Sequence, residues 1–225
     1  RAREIVWPEV ELYEARIPRA PRDLILLVGT EPSFRWRTFG QIVVELAEAM
    51  GAQLMVTLGA LLADVPHTLP VSVTGLASDP ALVARLGLQQ SSYEGPTGVV
   101  GVLHAAFQQA GLPSASLWAA VPHYIAAAPN PKAALALVRK LEGLVGVAVD
   151  ASELESAAAD YERQVNVAVQ SDPDVQAFVE RLEQAAESEP GDEATSLPSG
   201  ESIARDLQRF LRQRGDDGED VAGRQ

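Results

Sequence analysis

The chain has 225 residues, 47% of them hydrophobic, and a formal charge of −13, which supplies one sizeable core with a smaller appendage. It contains no cysteine, so disulfides, thiolate metal sites and cysteine nucleophiles are excluded, in keeping with a reducing cytoplasm. Residues 1–149 carry 12 acidic and 11 basic residues, net −1, and residues 150–225 carry 19 and 7, net −12; a tail so acidic argues against nucleic acid or an anionic membrane as a partner.

No apolar run approaches the roughly 20 residues of a membrane span. The charged start Arg1-Ala2-Arg3-Glu4 is not a signal peptide and, without an initiator Met, reads as trimmed. Leu24 to Val28, closed by Gly29, is a continuous apolar run of the kind expected of a strand buried on both faces. The apolar residues Phe39, Ile42, Val43, Leu46, Ala47 and Met50 recur at helical spacing, which predicts a helix over 34–50 with Gly51 as its stop. A second strand is expected over 53–58, a loop over 59–69, and a third extended run over 71–74 that pairs antiparallel or starts a separate edge.

Asp79-Pro80 opens a short helix to Leu86, Thr97 is placed to cap a helix ending before Gly111, and residues 114–121 read as a further strand. Asn130-Pro131 caps a helix over 132–144. Beyond Asp150 the pattern predicts a helical hairpin over 150–187, a flexible acidic linker over 188–198, a last helix over 199–214 and a disordered tail over 215–225. In the last helix Ile203, Leu207, Phe210 and Leu211 form an apolar stripe that must dock on something. Strands alternating with helices predict an α/β core over 1–149 with a largely parallel sheet covered on both faces.

Val-Pro-His occurs twice after strand-like runs, at Val65-Pro66-His67 and Val121-Pro122-His123. Proline fixes φ and lacks an N–H, so each tripeptide marks where a strand leaves its sheet, and ligands in open α/β sheets gather outside such ends. Asp64, His67, His123 and Tyr124 are therefore candidate ligand contacts, either as a base with its orienting acid or as histidines bonded to backbone carbonyls. Asp64, His67 and His123 could also make a carboxylate and two-imidazole metal site, but the spacing is not diagnostic, and with no helical His-Glu motif and no third imidazole in a strand-end loop the expectation is no metal. Glu31, Arg35 and Trp36 stand at another strand end, where they can orient and stack on a polar ligand or simply cap and pack the following helix. Tyr93 and Glu94 precede Gly95-Pro96-Thr97-Gly98 at a helix start whose free N–H groups suit an anion, although no nucleotide-binding glycine motif is present. His104 reads as a boundary residue inside its helix, and the serines lack a nucleophile elbow.

Four segments in order, Gly29-Thr30-Glu31-Pro32-Ser33-Phe34-Arg35-Trp36, Leu58 to Thr68, Ser92 to Gly98 and Ser116 to Tyr124, resemble the actinobacterial branch of the proteasome-assembly-chaperone-like family over roughly residues 5–185. The resemblance implies a three-layer α/β/α domain like that of purine nucleoside phosphorylases, a helical extension and assembly into homo-oligomers, dimers or trimers. It also implies a domain that normally starts earlier, with a strand and a Gly/Ala-rich turn. Archaeal relatives that dock on proteasome rings end in a hydrophobic-Tyr-any motif, whereas this chain ends Ala222-Gly223-Arg224-Gln225, so docking by that route is unsupported. None of the phosphorylases' catalytic motifs is matched. The expectation is a non-enzymatic interaction or assembly-chaperone-like protein with protein partners, no metal and no cofactor. The alternative is a binder of a nucleoside-like or anionic small molecule, or a hydrolase-like enzyme, using the strand-end loops.

Overall fold

The structure, a computed structural model, describes residues 7–17, 20, 22–77, 79–90, 97–125 and 129–188. In chain order these form β1 (Val10–Ala15), β2 (Leu24–Gly29), α1 (Trp36–Ala49), β3 (Met55–Ala63), β4 (Val73–Ala77), α2 (Pro80–Leu86), β5 (Gln89–Gln90), α3 (Val99–Gln109), β6 (Ser114–Pro122), α4 (Pro131–Val145), α5 (Ser152–Gln170) and α6 (Pro173–Ser188). This is a mixed α/β fold with two sheets. The expected linker after Ser188, the last helix and the tail lie outside the described residues.

β1 and β2 pair antiparallel as a ribbon of their own, from Val10↔Gly29 to Ala15↔Leu24. β1 has no counterpart in the sequence reading, because Glu11 and Glu14 interrupt its apolar pattern. β2 is not the doubly buried strand its composition predicts: Val28 is 55% exposed and Leu26 44%. An apolar run signals extended backbone, but the number of layers over it is set by distant chain. The ribbon closes at Gly29 because a Cβ there would lie 2.7 Å from Glu9 O and Val10 Cα, backbone atoms that cannot rotate aside.

The second sheet has the order β3-β6-β4-β5. β3 and β6 run parallel over nine pairs, Met55↔Ser114 to Ala63↔Pro122, while β4 runs antiparallel to β6 and parallel to β5. The sheet is thus mixed, with two parallel pairings and one antiparallel. β4 lies between β6 and β5, since the short connection from β3 leaves no room for a crossover helix. β3 also extends five residues beyond the expected Leu58, into the predicted loop. Gly59 does not end it but stays in register opposite Trp118, whose ring would meet a Cβ at 2.5 Å.

β6 is the centre of the core. Ala115, Leu117 and Ala119, all fully buried, face Leu82 of α2 and Ala133 and Leu137 of α4. The alternate residues Ser114 and Ser116 face α3, which packs on α1 through Val43, Leu103 and Phe107. The local start signals of α2 and α4 hold as read: Asp79 accepts from Ala81 N–H at 2.8 Å, and Asn130 accepts from Ala133 N–H at 3.0 Å.

α5 lies along α4, tied by the Arg139–Glu155 pair and by Lys132 to Glu162 at 3.1 Å. At the joint, Glu142 receives the Arg139 side chain and the Val149 N–H, which hold its carboxyl below the ordinary range. Ser171 and Asp172 connect α5 to α6, which returns over the ends of β3 and β6. No helix among the described residues is long and apolar enough to cross a membrane.

Candidate functional site

Because β3 and β6 are parallel neighbours, the two Val-Pro-His loops leave the sheet at the same carboxyl edge, where His123 N–H donates to Ala63 O at 3.3 Å. Tyr124 bridges them. Its hydroxyl accepts the His67 backbone N–H at 2.7 Å, which leaves its own proton for His67 Nδ1 at 2.8 Å. His67 Nε2–H then donates to Asn166 Oδ1 of α5 at 2.9 Å. Every polar atom of this 6% exposed imidazole is engaged. Burial raises the Tyr124 phenol pKa and Glu183 adds to the shift, so the hydroxyl keeps its proton at neutral pH.

The same edge is closed from outside. Phe178 of α6 stands edge-on to His123 and Tyr124, with ring centres 5.5 and 5.8 Å away, and Arg181 lies over its ring at 5.6 Å. Thr68 donates to Glu183 at 2.5 Å, and Lys132 donates to His67 O at 2.5 Å while holding Glu162. Asp64 meets His123 Nδ1 at 2.9 Å on the exposed rim. The crevice where an open α/β sheet holds a ligand is occupied here by side chains of α5 and α6.

Of the residues expected around a ligand, the structure brings together Asp64, His67, His123 and Tyr124. The histidines bond to side chains of distant elements rather than to neighbouring carbonyls. Glu31, Arg35 and Trp36 are engaged elsewhere or free of this cluster, and Tyr93 and Glu94 lie outside the described residues. The Trp36 indole N–H donates to Pro32 O, and Arg35 precedes α1 in the left-handed conformation with φ 59°. Glu31 caps α3, not the helix that follows it: its Oε1 accepts Val99 N–H at 2.8 Å, and Thr97 makes no such cap. The anion-binding position at that helix start is therefore filled by the chain's own carboxylate. Glu31→Ala is expected to lower stability by about 0.5–2 kcal/mol in urea unfolding, the usual cost of a lost N-terminal cap, with Glu31→Gln retaining most of it.

Sequence reasoning missed Asn166, Phe178 and Lys132, because nothing local marks a helix residue that contacts a loop 50 to 100 positions away. It also undervalued His104. Its Nδ1 meets Ser114 Oγ at 2.8 Å, and its Nε2 meets Ser116 Oγ at 2.8 Å and Thr57 Oγ1 at 3.0 Å. Burial lowers the His104 pKa, so the ring is neutral. Although a Ser–His contact resembles a nucleophile with its base, Ser116 is 8% exposed beneath α3, and Ser114 stands where an orienting carboxylate would be needed. The cluster is a polar tie between helix and sheet. No group of three His, Asp and Glu side chains able to hold a metal ion occurs among the described residues.

A family model described as the PAC2 family matches residues 2–169. Among solved structures, a PAC2 family protein from Streptomyces avermitilis is 46% identical with a TM-score of 0.72, the match covering 79% of this chain and 75% of that one. A proteasome-assembly chaperone homologue from Mycobacterium tuberculosis is 41% identical with a TM-score of 0.70, at the same coverage of both chains. The archaeal proteasome activator of Pyrococcus furiosus shares the fold at 19% identity and a TM-score of 0.57, over 72% of this chain and 71% of that one. No curated protein matches.

Proposed function

Since this chain belongs to the PAC2 family, we propose that it is a non-enzymatic, assembly-chaperone-like protein of the cytoplasm that works by binding other proteins and as a homo-oligomer. The observation that carries this reading is a contrast between two surfaces. The strand-end crevice that would hold a small molecule is filled by Phe178, Asn166 and Glu183, whereas apolar side chains stand open on α1 and on β3. On α1, Ile42, Leu46 and Met50 follow one another at helical spacing, all at least 39% exposed. On β3, Leu58, Ala60 and Leu62 point outward from a strand that has β6 on one side and, among the described residues, no neighbour on the other. Its nine residues include no charge and no proline, the usual guards of a free edge.

A dimer or trimer that covers this surface accounts for its composition. Helices α3 and α4 on opposite faces of β6 agree with the three-layer reading of the family domain. In this reading Asp64, His67, His123 and Tyr124 are pins for α5 and α6 rather than ligand contacts, and no metal or cofactor is required. The net charge of −13 keeps nucleic acid out of the list of partners. The test is the mass in solution by light scattering. The unsubstituted chain is expected to assemble, and Leu62→Asp, which places a charge on the 68% exposed β3 position, is expected to release monomers with an unchanged circular dichroism spectrum. A strictly monomeric unsubstituted chain would overturn the oligomer.

A further inference from the structure

The two faces of the β3-β6-β4-β5 sheet are covered unequally. Eight buried side chains cluster on the side of α2 and α4, whereas the side of α1 and α3 has three among the described residues, Val43, Leu103 and Phe107. Beside that small core the half-buried His104 of α3 spans two strands. Its Nδ1 reaches Ser114 Oγ and its Nε2 reaches Ser116 Oγ, both on β6, and Nε2 also reaches Thr57 Oγ1 on β3. The polar tie between helix and sheet is therefore a titratable group, and it takes no part in the strand-end cluster of His67 and His123.

A neutral imidazole offers one N–H and one lone pair, and hydroxyls can serve both. An imidazolium has two N–H groups and a charge, so a hydroxyl that donated to the bare nitrogen must turn its proton away. No group among the described residues compensates that charge. His104 is the one ionisable side chain of α3, and β3 and β6 have none. Arg37, Glu45 and Glu48 of α1 are exposed, and Glu31 is committed to the Val99 N–H at the start of α3. Burial alone holds the ring's pKa below its ordinary value. We propose that the cluster of His104, Ser114, Ser116 and Thr57 is an acid-released latch: it holds the α1–α3 layer on the sheet at neutral pH and lets that layer open first in mildly acid medium. Once α3 lifts, the ring meets water and recovers a pKa near 6.5. The open state then binds a proton that the closed state refuses, so the latch is fully effective above about pH 6.5 and is lost as the pH falls toward the ring's own lower pKa. Helices α2 and α4 contain no histidine, and the opposite layer has no such latch. The device belongs to one copy and does not depend on assembly.

Amide exchange in the full chain, expressed as protection relative to an unstructured peptide at the same pH, tests the latch. Between pH 7 and 5.5, protection over 103–107 is expected to fall at least about threefold, against a limit of about tenfold per pH unit for one proton. At pH 5.5 the amides of α1 and α3 are expected to be less protected than those of β6. His104→Gln, which keeps a polar side chain but takes up no proton, is expected to remove the fall, and His123→Gln to retain it. Titration of the His104 ring by NMR in the unsubstituted chain needs no variant, and its midpoint is expected below 6.5. A midpoint at or above 6.5, protection over 103–107 that does not change with pH or outlasts that of β6, or a fall that persists in His104→Gln would overturn the proposal.

Discussion

His67→Ala is expected to lower the free energy of unfolding by about 2–4 kcal/mol and to loosen α5 and α6 before the rest of the molecule. The substitution leaves Asn166 Oδ1 without its imidazole partner and strips the same ring from the Tyr124 hydroxyl, which keeps only the backbone N–H of residue 67, and a buried polar group left unsatisfied costs about 1–3 kcal/mol. Water that reaches half-buried Tyr124 keeps the total away from the upper bound. Lys132 bonds the main-chain oxygen of residue 67 and so remains as a tether. Urea unfolding gives the magnitude, and amide exchange along α5 gives the location. A loss under about 1 kcal/mol, or one spread evenly over the sheet, would show that the imidazole does not join the helices to the strand ends.

The second large effect lies in the sheet. Leu117 is wholly buried on β6, between β3 and β4 and against the α2–α4 side of the core. Leu117→Ala removes three carbons where no edge can relax inward, so a cost of about 2–5 kcal/mol is expected, set by how far Leu88 and Leu137 move into the space. Thermal unfolding measures it. Because Leu117 holds the sheet and His67 holds the cover, the exchange patterns of the two variants should differ: global for the first, concentrated in α5 and α6 for the second.

The features legible in the sequence were those whose cause is local. Asp79-Pro80 and Asn130-Pro131 announce α2 and α4 because a capping side chain bonds an N–H two or three residues away. Helices α5 and α6 are found within a residue or two of their expected ends, and the four family segments identify the chain. What could not be read depends on partners far along the chain. The apolar run of β2 does not say that it meets only β1, and the pattern of β4 does not place it between β6 and β5. Glu31 shows no sign of reaching a helix that begins 68 residues later. At the strand ends the candidate histidines do converge, as their paired setting implies, but the groups that occupy the crevice come from α5 and α6, whose exposed-looking faces give no hint of Asn166 or Phe178 as contacts.

The register of β3 against β6 has a consequence for synthesis. Met55 pairs with Ser114, and Ala63 with Pro122, so β3 leaves the ribosome 59 residues ahead of the strand that pairs with it. At about 5–20 residues per second, that leaves an uncharged nine-residue strand waiting on the order of 3–12 s for its first neighbour. The β1–β2 ribbon can close meanwhile, being contiguous in the chain. During that interval both edges of β3 are open to other nascent chains, and slower elongation between residues 63 and 114 is expected to raise the aggregated fraction more than the same slowing after residue 122.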